Sequence, residues 1–347
     1  MSFKWFFICI PLGMVLDYLQ FNDLCVFIVS ALGIIPLANL MGDATEEMSH
    51  SLGAAKGGLL NSTMGTVPDL IIGFFALQHG LIEMVKAAIT GAIIGNLLLG
   101  LGLSIFVGGL KTKTQLHFDR GLTHVYSSLL LLTTFGLIIP AVFEHSVESD
   151  IEISLNISVI LLLIYVSSVI FTVTNNKSST LPASDRDIIK SNSSGNILVK
   201  PLIKLMGAGI CLAIMSEIMT DTIGPTATVL RLTPIFAGVF LLAPIGMVSE
   251  LINTIRFSRQ NKFDISLALT LGSSTQIGLF VAPLLVFIGL FVGQGMDLLF
   301  SKFEVISIIL SVAAVNHILH LGVVSWVSGP KLIGIYLMLG VAFYNIP

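Results

Sequence analysis

The fold is decided by two stretches, Gly65-Thr66-Val67-Pro68-Asp69 in the first half of the chain and Gly246-Met247-Val248-Ser249-Glu250 in the second. Each stretch places one carboxylate inside a long apolar run. An ionised carboxylate at bilayer depth costs at least ~2.5 kcal/mol, so we expect Asp69 and Glu250 to face a cavity or a partner. The neighbouring Gly and Pro residues interrupt a helix and expose backbone carbonyls. The two stretches therefore predict an ion site at the centre of a membrane protein.

The two carboxylates also mark an internal repeat. Asp69 and Glu250 are 181 positions apart, and the same offset aligns the sequence around them without a gap. Three glycine pairs coincide: Gly57 with Gly238, Gly65 with Gly246 and Gly91 with Gly272. Paired glycines and a paired carboxylate are hard to obtain by chance, even in so apolar a chain.

The composition places this repeat in a membrane. Of the 347 residues, 54% are hydrophobic and only 11% are charged, and the mean hydropathy is +0.96. Soluble domains carry roughly 25% charged residues, so a water-facing fold is excluded. The net charge of -3 indicates no nucleic-acid partner. The lipid bilayer is the expected environment, and we expect the plasma (inner) membrane of a prokaryote.

Runs of about 20 apolar residues predict transmembrane helices, and the chain holds about eleven. They lie near residues 3–20, 24–41, 54–79, 83–110, 121–143, 151–174, 201–221, 231–257, 264–292, 303–321 and 327–345. We predict an extra N-terminal helix (1–23), a first five-helix repeat (24–174), a cytoplasmic linker rich in Ser and Asn (175–200) and a second five-helix repeat (201–347). An odd number of spans per half makes the two repeats inverted. The fold class is thus all-α and polytopic.

The distribution of basic residues predicts the orientation. With a cytoplasmic N-terminus and alternating spans, fourteen of the 17 Lys and Arg residues fall on the inside. Shifting the register by one span reverses this bias. The positive-inside rule therefore favours a cytoplasmic N-terminus and a cytoplasmic linker.

The electrostatics of the carboxylate pair predict a mechanism. Two ionised carboxylates in one dry pocket repel each other, so the pocket favours a bound cation or protons over the empty charged state. Oxygen ligands of this kind suit hard cations, above all Ca²⁺. If the empty charged site cannot reorient, cation and proton must alternate, which is antiport. No resident cofactor is needed, and no nucleophile–base pair at membrane depth indicates an enzyme.

Residues of about 35–345 resemble the calcium/proton exchangers, the CAX family of the wider cation/calcium exchanger superfamily. The matching stretches include Ala44-Thr45-Glu46-Glu47, residues 57–65, residues 91–102 with Asn96, and Gly272-Ser273-Ser274-Thr275-Gln276-Ile277. This resemblance implies ten core helices in two inverted repeats, with the second and seventh core helices broken around a midplane site. It also implies exchange of Ca²⁺, or of a related cation, for H⁺.

The sequence departs from that family at the site itself. The family signature is Gly-Asn-x-x-Glu in both repeats, but Thr66 and Met247 replace the two asparagines, and Asp69 replaces the first glutamate. Gly95 stands where the family usually has Ser. These changes remove oxygen ligands, so weaker Ca²⁺ binding, another cation or a loss of transport all stay open. The alternative hypothesis is a non-transporting relative with a decayed ion site, acting as a regulatory or partner-binding membrane protein.

We divide the candidate residues into ligands and supporting residues. The predicted ion ligands are Asp69, Glu250, Thr66, Ser249, Ser273 and Ser274, with Asp69 and Glu250 as the metal-binding carboxylates. The predicted supporting residues are Asn96, Gln276, Gly65, Gly246, Glu217, Glu46 and Glu47. Beyond the transported cation and H⁺, assembly into a homo-oligomer is left open.

Overall fold

The computed structural model describes residues 3–52, 63–112, 115–143, 150–174, 199–320 and 322–346. After a 3₁₀ turn (Phe3–Ile8), the helices are α1 (Cys9–Tyr18), α2 (Asp23–Leu52), α3 (Val67–Gln78), α4 (Ile82–Ile94), α5 (Leu101–Thr112), α6 (Arg120–Phe143), α7 (Asp150–Thr174), α8 (Val199–Val229), α9 (Pro234–Ala237), α10 (Ala243–Arg259), α11 (Phe263–Gln276), α12 (Ala282–Val292), α13 (Lys302–Leu319) and α14 (Ser328–Tyr344). Two short strands, β1 (Leu116–His117) and β2 (Val323–Val324), pair antiparallel.

The predicted all-α polytopic architecture is confirmed. Within the described residues, eight helical segments are long and apolar enough to cross a bilayer, and three more apolar helices are shorter. The shorter ones are Trp5–Tyr18, Val67–Gln78 and Ser328–Tyr344. Helices suit this environment because they satisfy their backbone hydrogen bonds internally, where lipid offers no partner.

Within the described residues, three π-helical segments join helices into longer continuous rods. The first (Gly95–Gly100) joins α4 to α5, the second (Gly238–Leu242) joins α9 to α10, and the third (Ile277–Val281) joins α11 to α12. The second and third are each followed directly by an Ala-Pro pair, ending in Pro244 and Pro283. Proline has no N–H and crowds the carbonyl four residues earlier, so a wider turn before it relieves the conflict.

The secondary structure repeats with the offset seen in the sequence. α4 begins at Ile82 and α11 at Phe263, while α5 begins at Leu101 and α12 at Ala282; both pairs are 181 positions apart. The first and third π-helical segments occupy equivalent places. The internal repeat therefore extends to the positions at which the helix geometry changes.

Equivalent helix ends lie at opposite ends of the molecule, which makes the repeats inverted. The Arg259 carbonyl, at the end of α10, accepts a hydrogen bond from Lys111 Nζ at 2.6 Å. The equivalent end of α3 leads to Gly80, which lies beside Gln294. Gly80 and Lys111 flank a 30-residue helical rod, Ile82–Lys111, which is roughly 45 Å long at 1.5 Å per residue.

Described connections between helices lie at both of these ends. At the Lys111 end, the Asp119 amide donates to Asp264 Oδ1 at 2.9 Å, and β1 pairs with β2. At the opposite end, Lys86 forms an ion pair with Asp297 at 2.9 Å. Most of the predicted linker, residues 175–198, lies outside the described residues.

One expectation about helix breaks is confirmed and the other is wrong. In the first repeat, the chain turns at Thr66 before α3 begins at Val67, so the helix is interrupted beside Asp69. In the second repeat, α10 runs unbroken from Ala243 to Arg259 through Gly246 and Glu250. Pro244 lies in the first turn of α10, and the wider turns of the preceding π-helical segment accommodate its missing N–H. The irregularity therefore falls earlier, in the second π-helical segment.

Candidate functional site

Each carboxylate lies against the glycine of the other repeat. A Cβ atom added to Gly246 would collide with Asp69 Oδ1, and one added to Gly65 would lie 3.8 Å from Glu250 Oε1. Asp69 is in the first turn of α3, and Glu250 is in the middle of α10. Both carboxylates are half-buried. The two glycines thus let carboxylates from opposite repeats approach one region of the protein.

Glu250 is held by one donor from each repeat. Asn96 Nδ2 donates to Glu250 Oε2 at 2.9 Å, and Ser273 Oγ donates to Oε1 at 2.8 Å. Asn96 is 1% exposed and lies in the first π-helical segment, while Ser273 lies four residues before the third. Hydrogen bonds to both oxygens fix the orientation of the carboxylate. Both donors are among the residues predicted from the sequence.

Asp69 borders a cavity that is otherwise apolar. The cavity extends between α3, α4, α10 and α12, and its lining includes Ile72, Val85, Ile89, Leu242, Ile277 and Leu285. An apolar wall offers no hydrogen bonds to a charge, so an uncompensated Asp69 carboxylate is costly here. This environment favours a carboxylate that is neutralised by a cation or a proton.

Asn39 makes a polar contact beside Glu250 that was not predicted from the sequence. Ser249 Oγ donates to Asn39 Oδ1 at 3.3 Å, which links α10 to α2 directly beside Glu250 in the chain. Asn39 Nδ2 donates to the Ile35 carbonyl at 3.1 Å, so Asn39 Oδ1 is the side-chain atom that faces α10. An amide in the middle of an apolar span is the signal that could have identified it.

Two predicted ligands donate their hydroxyl hydrogens to backbone carbonyls three or four residues earlier in the chain. Thr66 is fully buried and its hydroxyl donates to the Thr63 carbonyl at 3.0 Å. Ser274 is also fully buried and donates to the Thr270 carbonyl at 2.8 Å. The structure therefore brings Ser273, and not Ser274, to Glu250. Gln276 is half-buried at the end of α11, where the third π-helical segment begins.

The remaining acidic candidates have exposed side chains. Glu47 forms an ion pair with Lys204 at 2.7 Å, which joins the end of α2 to the start of α8. Glu46 and Glu217 are both exposed. Within the described residues, no group of three or more His, Cys, Asp or Glu side chains is arranged to hold a metal. A cation at this site would therefore bind two carboxylates together with neutral oxygens.

Comparison with known proteins identifies the family. The model of the sodium/calcium exchanger protein family matches residues 23–174 and 200–345, which covers both repeats. The chain belongs to this family. A Ca²⁺/H⁺ antiporter of Aphanothece halophytica is 35% identical, over 97% of this chain and 95% of that protein. The Ca²⁺/H⁺ antiporter ChaA of Bacillus subtilis is 33% identical over 96% of each chain.

Solved structures of exchangers share the fold. The structure of native YfkE superposes with a TM-score of 0.85 at 31% sequence identity, covering 98% of this chain and all of that one. The H⁺/Ca²⁺ exchanger CAX superposes with a TM-score of 0.75 at 14% identity, over 99% of this chain and 91% of that one. The fold is therefore shared over nearly the whole chain.

Proposed function

We propose that this exchanger moves Ca²⁺, or a closely related divalent cation, in exchange for H⁺ at a site formed by Asp69 and Glu250. The observation that carries the proposal is the reciprocal placement of the two carboxylates, each against the glycine of the opposite repeat. The relatives named as Ca²⁺/H⁺ antiporters support the choice of ions.

Charge balance supplies the reason for exchange. A divalent cation neutralises two carboxylates, and so do protons, whereas the empty site leaves two uncompensated negative charges, with Asp69 beside an apolar cavity. The cost of that desolvated charge opposes any movement of the empty site across the membrane. The site therefore changes its access only when it is loaded with cation or protons, which couples the two fluxes.

The ligand set limits how the cation is held. Ca²⁺ takes about 6–8 oxygen ligands, and each carboxylate offers two oxygens. Asn96 and Ser273 donate to Glu250 in the structure, and each also carries an oxygen that can bind a cation once its side chain rotates. Water must supply part of the shell, since Met247 and Thr66 replace amide side chains. A partly hydrated cation is the state that we propose.

The alternative is a non-transporting relative that acts through a partner. The polar contacts at the site argue against it, because a site released from ion binding has no need to keep a desolvated carboxylate with a donor on each oxygen. Both Asn96 and Ser273 retain that role here. We therefore favour transport.

The test is ion flux into proteoliposomes under an imposed pH gradient, with Ca²⁺, Mn²⁺, Mg²⁺, Na⁺ and K⁺ offered one at a time. We expect uptake of Ca²⁺ or Mn²⁺ that collapses when the pH gradient is dissipated. An absence of flux for every cation, from protein that is folded and correctly inserted, would favour the non-transporting alternative.

We also propose the domain division and orientation predicted from the sequence: an extra helix at 1–23, repeats at 24–174 and 201–347, and a cytoplasmic linker at 175–200. The two basic residues Lys111 and Arg259 lie at the same end of the molecule, where Lys111 donates to the Arg259 carbonyl. This supports the orientation, because the positive-inside rule places basic residues in the cytoplasm. The expected location is the plasma membrane of a prokaryote.

The orientation can be tested by cysteine labelling. In a variant whose Cys9, Cys25 and Cys211 are replaced, Ser179→Cys should resist a membrane-impermeant maleimide in intact cells and react after the membrane is opened. Val229→Cys, at the end of α8, is the matched control and should react in intact cells. Labelling of Ser179→Cys from outside would reverse the proposed orientation.

A further inference from the structure

Met247 fills a space that exists because residue 95 is glycine. A Cβ atom added to Gly95 would lie 2.6 Å from Met247 Sδ and 3.0 Å from its Cε, which is too close for either. Met247 is only 2% exposed. The side chain of α10 therefore packs directly on the backbone of the first π-helical segment, and the two residues are sterically matched.

This contact adjoins the hydrogen bond between Asn96 and Glu250. Gly95 precedes Asn96, which donates to Glu250 Oε2 at 2.9 Å. Met247 precedes Glu250 by three residues, so both side chains lie on the same face of α10. The thioether is thus packed between the backbone that carries Asn96 and the helix that carries Glu250.

The residue before Met247 takes part in a second close contact. Gly246 allows Asp69 Oδ1 to approach α10 so closely that a Cβ atom would collide with it. Two consecutive residues of α10 therefore contact both halves of the site. Gly246 leaves space on the Asp69 side, and Met247 fills space on the Asn96 side.

We infer that the Gly95–Met247 contact is a positioning device for the ion site: it holds Asn96 against Glu250 and closes that side of the carboxylate with an apolar wall. Methionine suits this role because its unbranched side chain fills irregular gaps. A thioether is a poor ligand for hard cations, so the wall leaves Asn96 and Ser273 as the neutral partners of Glu250. This inference rests on the proposed function, since it assigns a role within the same site.

A variant series separates this role from general packing. Gly95→Ala should raise the KM for Ca²⁺ roughly tenfold, because the added methyl group must displace the buried Met247 side chain from the face of α10 that it shares with Glu250. Gly95→Ala combined with Met247→Val should recover most of that loss, since the shorter side chain makes room. Met247→Leu, which conserves volume, should stay within about threefold of the parent.

A second cycle asks whether the contact acts through Asn96. In an Asn96→Ala background, Gly95→Ala should cause little further change in KM, because the hydrogen bond that it disturbs is already absent. Ca²⁺-dependent thermal stabilisation of the detergent-solubilised protein gives the same comparison without transport. Equal, additive effects of Gly95→Ala in both backgrounds would overturn the inference.

Gly136→Ala is the matched control for overpacking. A Cβ atom there would collide with Leu161, between α6 and α7, which carry none of the predicted ligands. This variant should lower the yield of folded protein and leave the KM for Ca²⁺ unchanged. If the parent neither moves nor binds Ca²⁺ or Mn²⁺, the proposed function fails. If the parent moves and binds Ca²⁺ but the double variant is not rescued, only the positioning inference fails.

Discussion

Asp69→Asn and Glu250→Gln are each expected to abolish cation exchange while the protein stays folded in the membrane. Each change removes one of the two charges that compensate the bound cation and one of the groups that take up the exchanged protons. Each also removes the cost of a desolvated carboxylate, so thermal stability should hold or rise slightly. Flux in proteoliposomes and the melting temperature in detergent measure the two effects.

The two substitutions differ in their effect on local hydrogen bonds. The amide introduced by Glu250→Gln would present an NH₂ group to either Asn96 or Ser273, both of which donate to Glu250 in the parent. Asn96 can turn its amide and present an oxygen instead, so Glu250→Gln should leave the stability of the fold unchanged when Asn96 is intact. Combining it with Asn96→Leu should destabilise the protein, because the new amide then loses that partner.

A distant carboxylate provides the control. Glu83 is exposed in the first turn of α4, and Glu83→Gln should exchange cations like the parent. If Asp69→Asn or Glu250→Gln retained parental flux, that carboxylate would not be part of the coupling site, and the midplane position would be wrong.

Gly246→Ala is expected to give the second largest loss of transport. Its Cβ atom would take the place of Asp69 Oδ1, so the carboxylate must turn away from α10 or the helices must separate. Overpacking of this kind costs about 1–3 kcal/mol, which corresponds to a loss of Ca²⁺ affinity of roughly fivefold to 150-fold if it falls on the bound state. Calcium dissociation constants, measured by isothermal titration, test this.

Gly334→Ala is the control for the backbone effect of replacing glycine in a helix. Gly334 lies in α14, and nothing lies within 4 Å of a Cβ atom added there. Alanine also favours the helix over glycine by about 1 kcal/mol. Calcium affinity should be unchanged in this variant. Parental affinity in Gly246→Ala would show that Asp69 does not need its close approach to α10.

The sequence by itself determined the membrane class, the repeat and its central carboxylates. Hydropathy reports burial in lipid directly, because every buried span must be apolar. The 181-residue offset reveals the internal repeat directly, because glycines and a carboxylate occur at equivalent positions in both halves of the chain. Asp69, Glu250, Gly65 and Gly246 could be selected from those two signals alone, and Asn96 and Ser273 from the family resemblance.

Only the tertiary structure decided which neighbours serve those carboxylates. Ser273 reaches Glu250 while Ser274 binds its own helix, because adjacent residues on a helix point about 100° apart and the packing of α11 selects one. Asn39 reaches Ser249 across 210 positions of sequence, a separation that no local pattern records. The contact of Met247 with Gly95 is also invisible in the sequence, because a side chain of one repeat fills a gap in the other. Shape complementarity of this kind exists only after the helices have packed.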